Sequence, residues 1–188
     1  MSAIITPKSG LLFMKVGRHA GEAFGDILQR KRLEYQRTGM IFWGYGGNTC
    51  HPIRHVQPFA RLRFEEGQGV YLVMEEIDSR HAPTSLVASH YSEDGLKWQP
   101  MPAGVEVRGS RYALILGELQ DGALDIDLSN YEVAAGPSLG KRAVDYISGR
   151  VDKACLVPAA HTQIGAQQQI RRVNHYAGLK APYAVLIK

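Results

Sequence analysis

Apolar residues recur at two different spacings along the chain, and each change of spacing marks a change of element. Leu11–Val16 (LLFMKV), bounded by Gly10 and Gly17, is an apolar run of strand length. From His19-Ala20-Gly21-Glu22 onward, Ala20, Ala23, Phe24, Ile27, Leu28 and Tyr35 return every three or four positions. That spacing predicts an amphipathic helix closed by Gly39. Met40–Pro52 (MIFWGYGGNTCHP) then reads as an aromatic strand running into a loop over 46–57. Ala60, Leu62 and Phe64 alternate with Arg61 and Arg63, and together with Val70–Met74 they predict an antiparallel hairpin. Pro58 also permits a helix beginning there.

Leu86–Tyr91 and Leu96–Gln99 flank Ser92-Glu93-Asp94-Gly95, where Asp-Gly supplies the positive-φ residues of a tight turn. This turn resembles the Ser-x-Asp-x-Gly-x-x-Trp box of sialidase-like propellers (Ser92, Asp94, Gly95, Trp98), one residue short. A propeller repeats its box and this chain has one copy, so the stretch is read as turn chemistry. Val105–Arg108, Tyr112–Leu116, Leu124–Leu128 and Tyr131–Ala135 predict further strands. From Gly136 the spacing becomes helical again: Ala143, Val144, Ile147, Val151 and Ala154 form one stripe, and Ala166, Ile170, Val173 and Ala177 form another within Gln163–Ala177. Ala184–Ile187 reads as a final strand. The expectation is a single α+β domain over residues 1–188: a largely antiparallel, strongly curved sheet flanked by about three helices, one near the N-terminus and two near the C-terminus.

Composition changes this picture little. With 45% hydrophobic and 21% charged residues the chain supplies an ordinary core. It has no apolar run long enough for a membrane span and no signal-peptide pattern at its start. Its two cysteines, Cys50 and Cys155, are too few for a disulfide scaffold, which makes a reduced, cytoplasmic setting the expectation. The net charge of +4 leans towards anionic partners.

Two stretches carry candidate chemistry. In the first, Trp43 and Tyr45 stand beside Gly46, Gly47 and Asn48, so free backbone N–H groups and an aromatic face would meet a nucleotide base. Cys50 follows, with His51 and His55 near enough in sequence to activate its thiol. The Cys/His spacing matches no established zinc pattern, and no metal or cofactor is predicted. In the second stretch, Gly136–Arg142, Ser138, Gly140, Lys141 and Arg142 sit at a predicted strand-turn-helix junction suited to a phosphate. The spacing is not that of a P-loop, and Arg142 stands where Ser or Thr would be required.

The leading expectation is a protein that binds a phosphate-bearing ligand, either a nucleotide-like metabolite or nucleic acid. A thiol-dependent transferase or hydrolase built on Cys50, and a non-enzymatic module that occupies a protein partner, are the alternatives.

Overall fold

The computed structural model describes residues 5–46, 51–81, 86–148, 151–160 and 167–188. In chain order the elements are β1 (Gly10–His19), α1 (Phe24–Thr38), β2 (Ile41–Tyr45), α2 (Ile53–Glu65), β3 (Val70–His81), β4 (His90–Ser92), β5 (Gln99–Pro100), β6 (Tyr112–Leu116), β7 (Gln120–Asp127), β8 (Tyr131–Val133), α3 (Ala143–Ile147), β9 (Lys153–Pro158) and β10 (Ile170–Ile187). A single turn of 3-10 helix, Leu128–Asn130, joins β7 to β8.

The sheet is mixed. Its main path runs β2-β6-β10-β3-β1-β9-β8, open at both ends, with β4 and β7 also paired to β10 and β5 paired to β4. β1 and β3 are parallel at its centre, whereas the other pairs are antiparallel. Apolar residues of one face, among them Leu12, Leu72 and Met74, pack with α1 and α2. Leu11, Phe13 and Val73 on the other face pack with α3 and the 3-10 turn. None of the helices among the described residues is long and apolar enough to cross a membrane.

The fold is α+β with three helices among the described residues, as expected, but the sheet is mixed and open rather than strongly curved, and two C-terminal helices do not form. Of the stretch read as a helix over Gln163–Ala177, residues 163–166 lie outside the described residues, and Ile170–Ala177 form instead the first part of β10, an 18-residue strand. Residues up to Gly178 pair with β7 and β3, and Leu179 to Ile187 pair with β6 and β4. Ile170, Val173, Tyr176, Tyr183, Val185 and Ile187 are β-branched or aromatic, as a pleated, half-buried surface prefers. The other expected C-terminal helix shrinks to α3, because Val151 lies beyond it and Ala154 belongs to β9 between β1 and β8.

The helix that the alternation of Ala60, Leu62 and Phe64 concealed is α2. It buries Val56 and Ala60, four apart, and leaves Leu62 55% and Phe64 40% exposed. The 92–95 turn is closed by its own side chains: Ser92 Oγ donates to Asp94 Oδ1 (3.1 Å), which also accepts the Leu96 and Lys97 N–H groups.

Candidate functional site

Parallel strands end on the same side of a sheet, and the space beyond their carboxyl ends is where open sheets characteristically take ligands. Here β1 and β3 pair in register from Gly10↔Val70 to Val16↔Glu76, then slip, so that Arg18 stands opposite Arg80. Gly17 is the residue at the slip. A Cβ there would lie 2.3 Å from Ser79 Oγ and 2.5 Å from the Ser79 carbonyl oxygen. The side chain can rotate away but the carbonyl cannot, so only glycine allows this approach. Gly17→Ala is therefore expected to lower folding stability by about 1–3 kcal/mol, measured by urea unfolding.

Beyond these strand ends lies a cavity of about 640 Å³, within the usual range of small-molecule sites. Its apolar floor includes Met14, Val16, Ile27 and Val107, and the ends of β1 and β3, α1, β2, the 106–111 segment and residues 152–153 form its walls. Eight lysines and arginines line it against two carboxylates, Glu106 and Asp152. Several of these cations are already engaged. Arg30 pairs in bidentate fashion with Glu22 (2.9 and 2.7 Å), and its guanidinium holds the Glu22 carboxyl below the usual range. Arg108 contacts Glu106, and Lys15 Nζ donates to the Ile147 carbonyl at 3.0 Å. Lys153 Nζ lies 5.6 Å from the centre of the Tyr45 ring.

Arg18 and Arg80 are different. Neither has an ion-pair partner among the described residues, and Arg18 donates only to the Gly21 carbonyl at 3.3 Å. Both residues are exposed, and their backbone positions face each other on neighbouring strands, an unfavourable placement for like charges.

The wall opposite the strand ends is held by a buried ion pair on α1. Lys31 Nζ meets Glu34 Oε2 at 2.8 Å, with both residues 2% exposed or less. Lys31 also donates to the carbonyls of Phe42 (2.5 Å) and Glu106 (2.7 Å), while Glu34 accepts the N–H groups of Phe42 (2.7 Å) and Glu106 (3.3 Å). The pair thus acts as a side-chain bridge between the free edge of β2 and the 105–107 segment, satisfying backbone groups that would otherwise be buried unpaired.

Desolvation, partly offset by Glu34, lowers the Lys31 pKa from 10.5 to about 8. Between these two values the folded chain holds fewer protons on this group than the unfolded chain, so Lys31 makes stability rise with pH there; below about 8 its cost is fully present. Burial pushes the Cys155 thiol up from 9.0, an effect that lowers stability above that pH. In the interval from pH 8 to 9, relative to a Lys31→Met/Glu34→Leu variant, the wild-type chain is expected to gain stability. Urea unfolding at stepped pH measures that difference.

Of the first sequence candidates, Trp43 and Gly46 line the cavity. Trp43 is 3% exposed and its Nε1–H points to Met14 Sδ at 3.4 Å, so the indole is a wall rather than an open stacking face. Tyr45 is buried beside Tyr112. Gly47, Asn48 and Cys50 lie outside the described residues. His51 and His55 come together, with ring centres 6.2 Å apart.

None of the second set, Ser138, Gly140, Lys141 and Arg142, lines this cavity. The N–H groups of Leu139, Gly140 and Lys141 already donate to the carbonyls of Gly136, Val133 and Ser138. Arg142 pairs with Asp145 (Nε to Oδ2, 2.9 Å). The turn instead meets the first stretch through Gly136, which abuts the rings of His51 and His55.

Arg18 and Arg80 have no local sequence signal. Arg18 follows the Leu11–Val16 run by two residues and Arg80 follows the polar pair Asp78-Ser79, and only the strand register joins them. Comparisons with protein-family models, with curated proteins and with solved structures found no match.

Proposed function

We propose that this chain binds a phosphate-bearing small molecule, a nucleotide-like metabolite, in the cavity beyond β1 and β3. The observation that carries this reading is the Arg18/Arg80 juxtaposition at the cavity mouth, two cations without carboxylate partners among the described residues. A phosphate bridging them turns repulsion into two charge-assisted contacts, and guanidinium groups match phosphate oxygens in geometry. Arg111 on the adjoining segment adds positive potential, while Met14, Val16 and Val107 offer an apolar surface to the rest of the ligand. A walled cavity of about 640 Å³ suits a metabolite better than a polymer backbone, which requires an open charged stripe. A cytoplasmic setting, where such metabolites are concentrated, accords with this reading.

The test is a thermal-shift and calorimetric series with inorganic phosphate, pyrophosphate, triphosphate, nucleotides and short oligonucleotides at two salt concentrations. Affinity is expected to rise with the number of phosphates on a small ligand. Saturation at a hundred times the dissociation constant adds about 2.7 kcal/mol, a rise of roughly 5–10 °C for a chain this long. Binding confined to oligonucleotides and lost steeply with salt would replace the small molecule by nucleic acid, and no binding by any of them would reject the proposal.

A further inference from the structure

A second cavity, of about 710 Å³, adjoins the first. The two share Gly17, Arg18, Ile77, Ser79 and Arg80 in their walls, so the arginine pair belongs to both. From there the second cavity extends along β3 and β10 to Phe24 at the start of α1. Its walls are chiefly polar, in contrast to the apolar floor of the first.

Part of that polarity is already used. Arg172 pairs in bidentate fashion with Asp125 (2.8 and 2.9 Å), Glu75 meets Arg171 at 3.2 Å, and His175 Nδ1 lies 2.7 Å from Asp121 Oδ1. Glu76, Asp78 and Asn174 make no side-chain hydrogen bond or ion pair among the described residues. The strands beneath them are irregular at this place. β1 slips against β3 at Gly17, and β10 shifts against β7 between Val173 and His175, which leaves Asn174 without a Cα partner on β7. Bulges re-aim side chains and gather beside binding sites, and here two of them open on one cavity.

We propose that the ligand continues past Arg18 and Arg80 into this second cavity and carries a sugar there, making it a nucleoside diphosphate sugar or a ligand of that class. The inference rests on the phosphate site proposed above. The carboxylates of Glu76 and Asp78 repel phosphate, so the phosphates stay at the arginine pair and a neutral group lies beyond them. Carboxylates accept hydrogen bonds from hydroxyl groups, and an acidic residue near a strand end is a well-known partner of a ribose hydroxyl. The Asn174 amide adds both a donor and an acceptor, as a ring bearing several hydroxyls requires.

The test is calorimetric titration of the full chain with ADP and UDP, with ADP-ribose and UDP-glucose, and with an ADP hexyl ester that reaches as far but has no added hydroxyls. In one of the two series the sugar conjugate is expected to bind about tenfold tighter than its parent diphosphate, and the hexyl ester is not. Asp78→Asn and Asn174→Ala, both at exposed positions, should each remove most of that advantage. Arg18→Glu should weaken diphosphate and conjugate together. Diphosphates that bind while their conjugates bind no tighter, an advantage shared by the hexyl ester, or one that survives both variants would overturn the sugar and leave the phosphate site standing. No binding by diphosphates or conjugates would reject the phosphate site and the sugar with it.

Discussion

Glu34→Leu is expected to cost about 3–5 kcal/mol of folding stability, the usual consequence of leaving one member of a buried ion pair alone. The substitution strips Lys31 of its counter-charge in a site where it is 2% exposed, and it removes the acceptor of the Phe42 and Glu106 N–H groups. At about 2–4 °C per kcal/mol for a chain of this size, melting should fall by roughly 6–20 °C. Lys31→Met/Glu34→Leu should recover part of that loss, because no charge then remains buried, although Phe42 and Glu106 still lose their side-chain partners. Urea unfolding of the two variants at pH 7 measures both effects. A Glu34→Leu variant as stable as the wild type would show that the pair does not clamp β2 to the 105–107 segment. Since that segment leads into the Arg108–Arg111 wall, the same variant should also weaken ligand binding.

Arg80→Glu is expected to move stability and binding in opposite directions. Without ligand, it exchanges a like-charge neighbour of Arg18 for an opposite one and should stabilise the chain by about 0.2–1 kcal/mol. With a phosphate-bearing ligand, it removes one charge-assisted contact, worth about 1.5–3 kcal/mol, and adds repulsion, so affinity should fall by roughly 10–150-fold or more. Arg18→Glu should behave alike. Lys141→Glu, on a turn that does not line the cavity, should leave affinity unchanged. Paired calorimetry and urea unfolding separate these cases. A residue kept only for the fold has no reason to gain stability when its charge is reversed, whereas a binding residue does.

The fold was partly legible, and the errors share one cause. A spacing of four fits both the helical period and the strand alternation. Val173 and Ala177, four apart and buried, imitate a helical stripe, although a register shift between Val173 and His175 leaves them in opposite core clusters; Ala177 and Leu179 then keep the alternation of two that a helix would break. The converse occurs in α2, where Val56 and Ala60 are four apart while exposed Leu62 and Phe64 give a false strand signal. In β2, where β-branched and aromatic residues dominate, and in β1 and β6, whose apolar runs are of strand length, the sequence pattern and the strand agreed.

The cavity was legible chiefly through β2. Trp43 and Gly46 were visible because aromatic residues and glycines cluster there. Arg18 and Arg80 became partners through a parallel register and a bulge at Gly17, neither of which leaves a local trace. The 136–142 turn has the residue types of a phosphate cradle, but its own hydrogen bonds consume the N–H groups that a cradle would present.

The most direct test of the central claim uses Trp43 as a reporter inside the proposed site. Trp43 lines the cavity, and the second tryptophan, Trp98, lies under Lys188 at the far end of β10. In a Trp98→Phe background, titration with inorganic triphosphate should change Trp43 fluorescence saturably, and adding Arg18→Glu or Arg80→Glu should abolish the change. Calorimetric binding of triphosphate that leaves Trp43 silent and survives both charge reversals would place the anion elsewhere on the chain and contradict the account.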